Sequence, residues 1–177
     1  GEDSIVDYKA QHLDPVFIEQ SPSIALGQAK EEVLRMGKFA LKGLEETNEF
    51  LKTKNTKHSN NAYQLEEAIN NLDRKITDYL VNLATSSLSE HESEEHSMLI
   101  DTVRDIERIG DHFENIIELI EYQQANKVKI TDTAMEDLEV MFNLTVSTVE
   151  EALQALDQKN FDAARAVVTK EDEIDSM

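Results

Sequence analysis

The chain has no cysteine, no tryptophan, two prolines and five glycines, and it sets only 17 Lys and Arg against 37 Asp and Glu. Without cysteine there is no disulfide scaffold, no Cys-ligated zinc site and no thiol nucleophile. So few Gly and Pro cannot supply the turns that a sandwich or barrel needs roughly every 8–12 residues. A net charge of −20 and a pI near 4.5 argue against nucleic-acid binding, which relies on Lys and Arg to neutralise phosphates. The same charge disfavours direct docking on an anionic lipid surface. No run approaches the roughly 18 apolar residues of a membrane span. What remains is 177 residues, 40% of them hydrophobic, enough for one domain with a real core. The chain starts at Gly1 with no signal peptide and reads as a soluble fragment of something longer.

The charge is uneven. Residues 1–59 carry 10 acids and 8 bases, whereas residues 60–177 carry 27 acids and 9 bases. Glu90–Glu118 alone holds 10 carboxylates and two Arg. One explanation is a solvated acidic face that favours solubility. The other is a hard-cation site, because such ions prefer oxygen ligands.

Hydrophobic spacing separates helices from connections. Residues 1–20 read as an extended lead-in, since Pro15 biases Asp14 away from helical conformation. Ser21-Pro22 is an N-cap followed by Pro at the first helical position. Ala25, Ala29, Val33, Met36, Ala40 and Leu44 then recur three or four apart, predicting a first long helix to near Lys54. A second carries Leu65, Ile69, Leu72, Ile76, Tyr79, Leu80 and Leu83. Ser89 and Glu92 have capping-box spacing and open a third, striped by Leu99, Val103, Ile106, Ile109, Phe113, Ile116, Ile117 and Ile120. A fourth runs from Thr131 or Asp132 through Leu138, Met141, Phe142, Val149, Ala152 and Leu156. Asn160 can cap a fifth, with Phe161, Ala164 and Val168 inward. The expected fold is all-α, an antiparallel helical bundle of about five long helices joined by short loops.

Residues four apart share a helix edge, which brings together Glu66 with Asn70, Glu107 with Asp111, and Glu171 with Asp175. On the third helix Glu107, Asp111, Glu114 and Glu118 form one seam. Glu66, Asn70 and Asp73 form a matching seam on the second, and the two could face each other around a cation. Alternatively, these are like charges tolerated on a wet flank. Glu171 and Asp175 fall on the apolar face of the fifth helix, where an unpaired carboxylate would protonate, find a base or bind a cation, unless that end frays. Gly110 inside a strong helix costs about 1 kcal/mol relative to Ala and marks either a close helix approach or a tolerated defect. No Glu-x-x-His, Gly-rich phosphate loop, G-x-S-x-G or H-E-x-x-H occurs, so enzyme catalysis has no positive support.

The segment Asp105-Ile106-Glu107-Arg108-Ile109-Gly110-Asp111-His112-Phe113-Glu114-Asn115-Ile116 resembles the hallmark of PhoU-like domains. Ser21-Pro22-Ser23-Ile24-Ala25-Leu26, with Gln28-Ala29-Lys30 and Arg35-Met36, resembles the entry to such a domain at the cytoplasmic C-terminus of bacterial Na⁺/phosphate cotransporter-related proteins. The resemblance spans about residues 13–177 and implies two three-helix repeats with E(D)-x-x-x-D metal motifs. Glu107 and Asp111 match that motif on the third helix. Glu66 and Asn70 match the preceding pair, with Asn70 in place of a frequent carboxylate, and Glu171 and Asp175 match it in the second repeat. No second E-R-I-G-D follows, so one repeat is complete and the other is cut to two helices, leaving apolar surface that implies a homo-oligomer. The implied domain layout is a 1–20 linker from an upstream membrane region and a 21–177 PhoU-like bundle. The implied role is a non-catalytic regulatory domain for phosphate transport on the cytoplasmic face of the inner membrane, partnered by its own transmembrane transporter domain. A bound Fe, Mn, Mg, Ca or Zn ion is expected; the alternative is a metal-free helical interaction module.

Overall fold

The computed structural model describes residues 10–158. Among these residues the chain is all-α: α1 (Val16–Gln20), α2 (Pro22–Thr53), α3 (Thr56–Leu83), α4 (Glu90–Ala125) and α5 (Asp132–Asp157). The expected helix from Asn160 onward lies outside the described residues.

The long helices begin where the sequence signals place them. Ser21 caps α2 through its side chain, with Pro22 at the first position. Asn55 caps α3, the Ser89–Glu92 capping box closes in both directions on α4, and Thr131 caps α5. Each cap gives a partner to a backbone N–H that the helix itself leaves unpaired.

The lead-in departs from expectation. Residues 16–20 form the short helix α1 rather than an extended lead-in, and Pro15 itself takes a right-handed helical conformation at its N-cap. Proline restricts the residue before it, not those after it, and its fixed φ suits a helix start. The Asp14 carbonyl then accepts the N–H of Phe17, and the carboxylate of Asp14 accepts that of Val16.

Helix α2 is the centre of the bundle and packs against α3, α4 and α5. Its stripe, Ala25, Leu26, Ala29, Val33, Met36 and Ala40, is fully buried, as are Leu72, Ile76, Leu80 and Leu83 of α3 and Leu99, Phe113 and Ile117 of α4. Each large side chain removed from water contributes about 1.5–3 kcal/mol before chain entropy is counted. Two glycines let neighbours come close. A Cβ on Gly43 would overlap the Phe113 ring, and one on Gly37 would overlap Leu153. Opposed residues show the helix directions: Tyr63 meets Glu121 and Ile69 meets Gly110, so α3 and α4 are antiparallel. On α5, Phe142, Val149 and Leu156 are buried while Val140 and Leu144 are exposed.

Candidate metal centre

The centre follows from helix arithmetic. Residues 63, 66, 70 and 73 lie along one edge of α3, and 107, 111, 114, 118 and 121 lie along the edge of α4 that faces it. Gly110 sits where the edges meet. A Cβ there would stand 3.5 Å from Ile69 and 3.8 Å from the Glu66 Cγ, so α3 runs past bare backbone on α4. Of the two sequence-based explanations for Gly110, this geometry supports the tolerated defect, since a Cβ would make only ordinary van der Waals contact.

Three carboxylates converge beside this crossing. Oxygens of Glu66, Asp111 and Glu114 all lie within 4.8 Å of one another, with Glu66 buried, Glu114 half-buried and Asp111 exposed. This is the one group of three or more His, Cys, Asp or Glu found in such an arrangement among the described residues. Asn70, one turn along α3, donates its amide to Glu66 Oε1 at 2.5 Å.

The electrostatics follow from burial and crowding. Burial first, and then the Glu114 charge, raise the Glu66 carboxyl to about 7; the Asn70 hydrogen bond opposes the rise without cancelling it. Glu107 is also raised, by burial and then by Asp111. Asp73 is raised by burial and Asp111, against the lowering effects of Thr77 and Arg74. At the other end of the seam the Tyr63 hydroxyl donates to Glu121 at 3.2 Å, and burial with the charges of Glu121, Glu118 and Glu114 pushes its pKa up to about 12. Every perturbed group along this edge is pushed towards its protonated form, the signature of negative charge with too little positive charge nearby.

The sequence-predicted residues therefore separate into three sets. Glu66 and Asp111 belong to the converging group, with Asn70 bonded to it. Glu107 is a neighbour on the same seam, coupled to it through Asp111. Glu171 and Asp175 lie outside the described residues. Glu114 completes the group; the ligand pairs four apart passed over it, although it stands three residues beyond Asp111 on the same edge.

Oxygen donors at this spacing fit a hard cation such as Mg²⁺, Ca²⁺, Mn²⁺ or iron. Glu66, Asp111 and Glu114 would hold the ion, and its charge would offset the crowding that raises Glu66. Fold and seam together define a helical bundle lined by facing acidic edges.

Comparison with known proteins narrows that class. The PhoU domain family matches residues 33–120, which run from α2 through α4 and contain the whole converging group. Over 154 residues the chain is 25% identical to a protein of Clostridium acetobutylicum described as a phosphate-specific transport system accessory protein PhoU homolog, covering 86% of this chain and 69% of that protein. No solved structure matches. The chain contains a PhoU-like domain.

Proposed function

We propose that this chain is a non-catalytic regulatory domain in phosphate transport, with a metal ion held between α3 and α4 as part of its working form. The observation that carries the reading is the convergence of Glu66, Asp111 and Glu114 inside the PhoU-matching segment. The relative's role as an accessory protein of phosphate transport supports the process. The proposed partner is a transmembrane Na⁺/phosphate cotransporter-related segment of the same protein, with the domain on the cytoplasmic face. Among the described residues, no helix is long and apolar enough to cross a membrane. The path for phosphate would therefore belong to that partner segment.

Elemental mass spectrometry of the purified protein, after reconstitution with Mn²⁺, Fe²⁺, Mg²⁺ or Ca²⁺, tests the metal. Stoichiometric metal that is lost in the Glu66→Gln and in the Glu107→Ala, Asp111→Ala variants supports the site; no retained metal would leave the acidic edges as plain surface. Phosphate uptake with and without Na⁺, in cells of the source organism lacking this domain, tests the process. Unchanged uptake at both high and low phosphate would overturn it.

One observation favours the metal-free interaction module as a second reading. The Asn70 amide already gives Glu66 a partner, so the buried carboxyl has some support without an ion. Self-association is part of both readings and is supported by the exposed Val140 and Leu144 on α5. Sedimentation equilibrium checks it, and a monomer at high concentration would remove it.

A further inference from the structure

Residues 10–20 lie on the bundle without one fully buried side chain. Ala10, Leu13, Phe17 and Ile18 are half-buried and the other seven are exposed. The hydrogen bonds that hold the segment are directed at its main chain. Glu32 Oε1 accepts the N–H of Gln11 at 2.9 Å and of His12 at 3.1 Å. Gln28 Oε1 accepts the N–H of Asp14 at 3.2 Å. The Tyr79 hydroxyl donates to the Asp14 carbonyl at 2.8 Å, and Ser86 Oγ donates to the Ile18 carbonyl at 3.1 Å. Side chains from α2, α3 and the turn after α3 thus hold the segment by its N–H and C=O groups. A cleft of about 720 Å³ separates part of it from α3, with Leu13, Pro15 and Ile18 on one wall and Asn71, Arg74 and Asn82 on the other.

Glu32 is the unusual member. It is completely buried on α2, next to core positions Ala29, Val33 and Met36. A carboxylate in such a place has to be hydrogen-bonded. Arg35, on the same helix, lies 3.3 Å from Oε2, while Oε1 takes the two N–H groups of the segment. Docking of the segment and burial of this charge are therefore one event. If the segment lifts away, water replaces the two N–H groups, and no bare charge is left inside the bundle.

We infer that residues 10–20 are a detachable strap, which opens as a unit while α2, α3 and α4 stay folded, and that Glu32 is the positioning residue that holds it closed. The strap has the marks of a low-stability unit: four apolar side chains that are only half-buried against the core, latches that are part-buried or exposed, and a cleft beneath it. Its opening would tie the position of the chain before Ala10 to the exposure of Glu32, Gln28 and Tyr79. That coupling is independent of any metal between α3 and α4.

Native-state hydrogen exchange on the full chain tests this. The amides of Gln11, His12 and Asp14 are expected to exchange at least about 100-fold faster than those of Val33 and Met36 in α2. Glu32→Gln keeps the shape and removes the charge; it is expected to speed strap exchange about tenfold, the effect of weakening a charge-assisted bond, with the α2 amides unchanged. Tyr79→Phe removes the hydroxyl that bonds the Asp14 carbonyl and Gln28 Oε1, and should act in the same direction by a smaller factor. The inference is overturned if strap amides exchange only together with the α2 core. It is equally overturned if both variants leave strap exchange unchanged, or if they speed strap and core equally.

Discussion

Replacing Glu66 by glutamine in the metal-free protein is expected to stabilise it at about pH 8 and to have little effect at about pH 4. The Glu66 carboxyl sits at about 7, against an ordinary value of 4.5, mainly through burial and then through the charge on Glu114. Each unit of pKa corresponds to about 1.4 kcal/mol, so full ionisation costs the fold up to about 3 kcal/mol. Solvent at the exposed Asp111 and half-buried Glu114 reduces this to about 2 kcal/mol. The sign follows from linkage. The folded pKa lies above the unfolded one, so between those values the native state keeps a proton that the unfolded chain has released. Stability is therefore greatest below the unfolded value and falls as pH rises through the folded one. Glutamine does not titrate and still offers an oxygen to Asn70. Urea denaturation in the presence of a chelator, at both pH values, should show the variant ahead by about 2 kcal/mol only at the higher pH. Adding Mn²⁺ there should then reverse the order, because the ion stabilises the parent by mass action and finds a weakened site in the variant. An equal stability difference at both pH values would refute the reasoning.

The remaining predictions concern packing and capping, and thermal or urea denaturation checks them all. Gly110→Ala should stabilise by about 0.5–1 kcal/mol, because its Cβ meets Ile69 at an ordinary 3.5 Å and the helix gains propensity. Gly43→Ala should destabilise by about 1–3 kcal/mol despite the same gain, since the Phe113 ring fills the space its Cβ needs. Ser89→Ala should cost about 1 kcal/mol by opening the capping box on α4.

The long helices were legible because their information is local. Ser21-Pro22, Ser89 with Glu92, and Thr131 each mark a start, and three-and-four spacing of apolar residues marks the buried face. The acidic edges were legible for the same reason, as a matter of turning each helix by its residue count. What local reasoning could not supply was the register of α3 against α4, which depends on side-chain volumes across the contact. That register brings Glu114 rather than Glu107 into the group with Glu66 and Asp111. Helix α1 escaped notice because five residues are too few for a period to show. The role of Glu32 was hidden as well: it stands one position before Val33 in the core stripe, and only the fold shows that, besides Arg35, it is partnered by the N–H groups of residues 11 and 12.

The join between α2 and α3 consists of Lys54 and Asn55 alone, with Lys54 in the left-handed region at φ 58° and its N–H returned to Phe50. Just beyond it, His58 Nδ1 lies 2.7 Å from Glu46 Oε2 and straps the two helices together across the turn. So short and tied a corner makes α2 and α3 behave as a stiff fork, whose prongs cannot slide past each other at that end. The six residues Ala84–Ser89 between α3 and α4 form a longer corner, tied across it by His96 Nε2, which lies 2.6 Å from the Leu80 carbonyl oxygen. A change in the gap between the acidic edges therefore has to come from α4 tilting against the fork about that tied end, with the bare backbone at Gly110 as its bearing surface.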